Sequence, residues 1–147
     1  MSNPSNLRVY NTAGEIADEI ALLVRNWPEF DQRSMGMQII RAADSIGNNI
    51  SEGYGRLSTG ERMQFFFYAD SSLQEVRNKV KRSVNRGLVD PVWAKEFDQR
   101  LLQLSISIIE FCWSIIERDT TYKGPYRERI QKRMWWRNKR SSTSSPD

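Results

Sequence analysis

Residues 41–61, RAADSIGNNISEGYGRLSTGE, decide the fold. Ala43, Ile46 and Ile50 recur at helical spacing, and Gly53 and Gly55 offer left-handed positions where a helix can stop. Ser58, followed three residues later by Glu61, makes a capping box: the serine oxygen accepts an orphan N–H while the glutamate reaches back to the cap. The stretch therefore reads as one helix ending near Gly53, a glycine-punctuated turn, and a second helix starting at about Thr59.

On the N-terminal side, Thr12 with Glu15 predicts a capped first helix with Ile16, Ile20, Leu23, Val24 and Trp27 on its apolar face, ended by Pro28. The next helix starts between Asp31 and Met35 and turns Met35, Ile39, Ala43, Ile46 and Ile50 inward. Gly36 and Gly47 lie inside it, either as weak points or as places where a neighbouring helix comes close. On the C-terminal side, the helix from Thr59 to about Arg86 carries Phe66, Ala69, Leu73, Val76, Val80 and Val84 at intervals of three and four, and Gly87 fits a left-handed C′ position. Asp90 and Pro91 are an N-cap and an N1 proline for a helix reaching about Arg118. No segment alternates with period two. The expected fold is all-α: an antiparallel up-down-up-down four-helix bundle over residues 1–119, with a basic C-terminal extension over 120–147.

The string Arg41, Ala42, Ala43, Ser45, Ile46, Asn49, Ile50, Glu52, Gly53, Gly55, Arg56, Ser58, Glu61, continued by Phe65, Ala69, Ser72, Leu73 and Glu75, resembles the signature of a bacterial four-helix-bundle family. That family includes proteins encoded in intervening sequences of 23S ribosomal RNA genes, and is related in fold to accessory variability determinants of diversity-generating retroelements. The resemblance runs from about Thr12 to Arg118, departing at Ser51, where the family usually has alanine, and in the basic tail. It implies a ring-shaped homo-oligomer, with a pentamer favoured, and a reverse transcriptase as a potential partner.

The last bundle helix has an unusually wide apolar arc of roughly 220°. Phe97, Leu101, Leu104, Ile108, Phe111 and Ile115 define one face, and Leu102, Ile106, Ile109, Trp113 and Ile116 fill its flank. Either this helix is buried more deeply than its partners, or the flank is an oligomer interface; the family resemblance favours the interface.

The charge is unevenly placed. Residues 1–119 hold 14 Lys and Arg against 16 Asp and Glu, whereas residues 120–147 hold 8 against 2. The tail cations are Lys123, Arg127, Arg129, Lys132, Arg133, Arg137, Lys139 and Arg140, interleaved with Tyr126, Trp135 and Trp136. Cations neutralise phosphates and aromatic rings stack on unpaired bases, so the expected ligand is RNA or DNA. A plainer alternative packs Ile130, Met134 and one tryptophan back on the bundle as a short amphipathic helix. SSTSSPD at the end reads as disordered. A second basic group, Lys79, Arg82 and Arg86, shares a face opposite the apolar stripe of its helix; it suits either phosphates or simply the helix dipole.

Enzymatic chemistry is not expected. There is no histidine and one cysteine, Cys112 in an apolar run, which removes the usual zinc sites, every histidine base and any intrachain disulfide. Glu52, Glu61, Asp44 and Asp70 read as capping and ion-pairing groups, and Gly53-Tyr54-Gly55-Arg56 lacks the strand and lysine-hydroxyl ending of a phosphate loop. No metal, cofactor or membrane partner is implied, and a soluble cytoplasmic setting is expected. Two functions fit: a nucleic-acid-binding accessory scaffold, or an interaction bundle whose basic tail binds an acidic partner protein.

Overall fold

The computed structural model describes the backbone of residues 7–143 and the side chains through residue 134. Its helices are α1 (Arg8–Arg25), the short α2 (Glu29–Asp31), a π-helical turn (Gln32–Gly36), α3 (Met37–Gly55), α4 (Thr59–Asn85), α5 (Pro91–Arg118) and α6 (Tyr126–Thr143). Among the described residues there is no strand.

Cross-helix contacts set the topology. Between α3 and α4, Lys79 meets Gln38 at 3.0 Å, Ser72 meets Ser45 at 3.0 Å, and Phe66 lies over Gly53. Numbers rising on one helix fall on the other, so the pair is antiparallel. The same pattern joins α4 to α5 through Arg77–Asp98 at 2.8 Å, Ser105–Asp70 at 2.5 Å and Thr59–Asp119 at 2.6 Å. Helix α1 meets α3 at Ala13–Gly47 and the π-helical turn at Val24–Gly36, and Arg100 of α5 reaches Glu19 of α1 at 2.6 Å to close the bundle. Ile16, Ile20, Ile39, Ile46, Ile50, Phe66, Leu73, Phe97, Leu101 and Ile108 form the shared core, each almost without exposure.

Two caps match the sequence: Ser58 Oγ accepts from Glu61 N at 3.2 Å, and Asp90 accepts from Val92 N at 3.3 Å with Pro91 behind it. Gly87 has φ 73°, and its N–H and that of Leu88 donate to Val84 and Ser83 carbonyls, the double bond of a Schellman ending.

Other expectations need correction. Gly53 and Gly55 are helical rather than left-handed, and α3 runs on to Gly55. Glycine is needed at 53 because a Cβ there would stand 2.8 Å from the Phe66 ring, and at 36 because it would stand 2.6 Å from Val24 Cγ1. Helix α1 starts at Arg8 instead of Thr12 and has no side-chain cap: Leu7, Val9 and Tyr10 pack on the core, and that burial extends the helix past the expected box. The helical path resumes at Glu29, directly after Pro28, and Gln32 Nε2 donates to the carbonyls of Arg25 and Trp27 at 2.8 and 3.0 Å, covering the end of α1. The extension contains a helix, α6, up to Thr143. Of the residues expected to be disordered, 141–147, the first three are helical as the end of α6, and 144–147 lie outside the described residues.

Candidate nucleic-acid interface

Helix α6 is tied to the bundle at its first turns. Arg127 Nη2 donates to the carbonyls of Ile116 and Asp119 at 3.3 and 3.2 Å, as a second donor to carbonyls that also accept from Asp119 N and Tyr122 N at 3.1 and 3.3 Å. Tyr122 Oη accepts from Tyr126 N at 3.2 Å, where an N-cap side chain would otherwise sit. Asp119 accepts from Thr59 Oγ1 and Thr121 Oγ1, and the Thr59 bond above all holds its carboxyl below the usual range. The Tyr126 ring then lies 5.1 Å from that of Phe67, Ile130 is fully buried, and Met134 is half-buried against the core.

Beneath this helix is a polar network inside otherwise apolar packing. Asp70 and Ser105 are 5% and 4% exposed. Ser105 Oγ donates to Asp70 Oδ1 at 2.5 Å, Arg133 Nη1 to Asp70 Oδ2 at 2.5 Å, and Arg133 Nη2 to Ser105 Oγ at 3.1 Å. A carboxylate this far from water is costly unless paired, and Arg133 pairs it. Cys112 is on the same face of α5; burial first, and then the Asp70 charge, push its thiol up to about 12, while Arg133 opposes. Such a thiol stays protonated and is a poor nucleophile.

The basic residues therefore divide. Arg127 and Arg133 are bound into the fold. Arg129, 5.2 Å above the Tyr126 ring, Lys132, ion-paired with Glu128 across one turn, and Lys123 remain exposed. Trp135, Trp136, Arg137, Lys139 and Arg140 are on the α6 backbone, and their side chains lie outside the described residues. On α4, Lys79 is held by Gln38 and by Glu75 at 3.6 Å, with its side chain 19% exposed, which removes it from a free cationic surface. Arg82 and Arg86 are exposed, roughly 18 Å or more along α4 from Asp70, so no described contact joins them to the anchored part of α6.

The apolar flank of α5 also divides. Ile109 and Ile116 are buried within the chain at 5% and 0% exposure, on the face shared by Ser105 and Cys112 where α6 is laid, so they are core rather than interface. Leu102 is 40% exposed, and Ile106 and Trp113 are half-buried. In sequence Asp70 stands out only as an ion-pairing group, and Ser105 does not stand out at all. Their signal is a polar side chain on each of two apolar arcs.

Elsewhere, an open groove of about 690 Å³ lies between α1 and α3, lined by Tyr10, Asn11, Ala13, Gly14, Glu15, Asp18 and Asp44 among others. Its carboxylates repel phosphates. Glu52 is paired with Arg56 at 3.1 Å, and no three His, Cys, Asp or Glu side chains gather as a metal site among the described residues.

The family model of the 23S rRNA-intervening sequence proteins matches residues 5–110. The chain belongs to that family. A solved structure from Bacteroides thetaiotaomicron VPI-5482, described as a protein of unknown function from the S23 ribosomal protein family, is similar over 71% of this chain and 94% of its own. The identity is 19% and the TM-score 0.65, a likeness of fold. No curated protein matches the chain. The family match stops at residue 110, so the end of α5 and all of α6 lie outside it. No described helix is long and apolar enough to cross a membrane.

Proposed function

We propose that this family member is a non-enzymatic nucleic-acid-binding scaffold whose phosphate-binding element is the outward face of α6. The observation that carries the reading is the placement of α6: Ile130 and Arg133 fix one side of it on the bundle, leaving Arg129 and Lys132 exposed on a segment where eight cations meet two acids. The acidic α1–α3 groove directs a polyanion away from the other side of the molecule. Leu102, Ile106 and Trp113 supply an apolar stripe through which copies would associate, repeating α6 around the assembly so that weak contacts add.

The test is fluorescence anisotropy of labelled single-stranded and duplex oligonucleotides across a salt series. Arg129→Gln with Lys132→Gln should weaken both and lower the salt exponent by about two, one for each phosphate that is no longer neutralised. Unchanged affinity and exponent would reject α6 as the phosphate-binding element, and binding only to an acidic protein would favour the interaction-bundle alternative.

A further inference from the structure

We propose that α6 is a releasable strap latched by Arg133 on Asp70 and Ser105, and that phosphate capture of Arg133 lifts it from α4 and α5. The trigger rests on the nucleic-acid reading above; the latch does not.

The described part of α6 is held by few groups. Its apolar contribution is Ile130, with Tyr126 and Met134 half-buried, whereas α3 alone buries Ile39, Ala42, Ala43, Ile46 and Ile50. Segments with little buried apolar surface open locally at a fraction of the global stability. Residues 119–125, which include Gly124 and Pro125, separate α6 from α5 and can absorb a hinge motion.

The latch couples to a polyanion because the Arg133 side chain is 39% exposed while that of Asp70 is 7% exposed. A phosphate can reach the guanidinium from solvent and can accept from both Nη groups, which in the closed strap are divided between Asp70 and Ser105. Once Arg133 turns to phosphate, Asp70 is left as a buried charge without its counter-charge. Water can replace Arg133 there only if α6 moves away. Two states follow: a closed one with Arg133 on Asp70 and Cys112 shielded, and an open one with Arg133 on phosphate, Asp70 hydrated, and the face of Ser105, Ile109 and Cys112 bared.

Cys112 reports on the strap, being fully buried when α6 is docked. The experiment follows its reaction with an aromatic disulfide reagent in the full chain, together with anisotropy of a labelled oligouridine and circular dichroism to establish that helix content is retained. Asp70→Asn should speed thiol reaction by about tenfold, and should tighten oligouridine binding by about threefold because Arg133 no longer has to be taken from a carboxylate. Arg133→Met should speed the thiol to a similar degree but weaken binding. In wild-type protein, saturating oligouridine should speed the thiol. Thiol rates in both variants equal to wild type would overturn the latch. Binding to wild type without thiol acceleration would overturn the trigger alone. Failure of wild type to bind oligouridine at low salt would overturn the trigger together with the nucleic-acid reading, while the variant thiol rates still decide the latch.

Discussion

The α3–α4 hairpin and the α5–α6 junction are both helix pairs joined by short connections, but different forces hold them. In the hairpin the close approach is apolar: Gly53 lets Phe66 lie against the α3 backbone, and Ile46, Ile50, Leu73 and Val76 bury completely. At the junction α6 brings one fully buried isoleucine, Ile130, supported by charge: Arg127 on two carbonyls and Arg133 on Asp70 and Ser105. Apolar burial is not weakened by charge screening, whereas ion pairs with partly exposed members are. The bundle is built to persist, and the strap to respond.

The same deletion made in both regions should have very different costs. Ile46 and Ile130 are each 0% exposed. Ile46→Ala should cost about 3 kcal/mol in global unfolding by urea, from the transfer energy of the missing atoms plus a cavity. Ile130→Ala should cost only about 1 kcal/mol there, because α6 can detach locally instead of unfolding the bundle. Equal costs would mean that α6 unfolds cooperatively with the four helices.

Gly53→Val tests the hairpin from the opposite direction, by overpacking. The added Cβ meets the Phe66 ring at 2.8 Å and the Arg62 carbonyl oxygen at 3.1 Å, so a destabilisation of about 2 kcal/mol is expected, with the urea midpoint falling and the slope unchanged. A neutral substitution would show that Phe66 can move aside freely.

A smaller effect, confined to alkaline pH, comes from Cys112. Its folded-state thiol is raised from 9.0 to about 12, so the unfolded chain loses that proton first as pH rises. The contribution is fully present below pH 9 and is lost between about pH 9 and 12. Wild type should therefore lose stability more steeply than Cys112→Ala across that window. Parallel curves would mean that the thiol is not shielded, and would count against a docked α6.

Local signals made much of the bundle legible. Ser58–Glu61, Asp90–Pro91 and Gly87 fix helix ends through bonds spanning a few residues, and these stand where the pattern places them. The purpose of Gly53 was not legible, because close approach of Phe66 depends on tertiary packing and looks in sequence like any helix-stopping glycine. The π-helical turn leaves no periodic mark either. For α6, Tyr126, Ile130 and Met134 at four-residue spacing show one apolar side, but Arg133–Asp70 joins residues 63 apart, and no local pattern encodes that. In the same way the sequence leaves Ile109 and Ile116 either deeply buried or at an interface, and only packing within the chain shows them buried.

Whether nucleic acid lies on the outward face of α6 is decided by ultraviolet cross-linking of the full chain to single-stranded RNA, with peptide mapping of the adducts. Adducts confined to peptides from residues 126–143, abolished at high salt and reduced in Arg129→Gln with Lys132→Gln, are the expected result. Adducts concentrated at Tyr10 in the α1–α3 groove, or undiminished in the double variant, would contradict it.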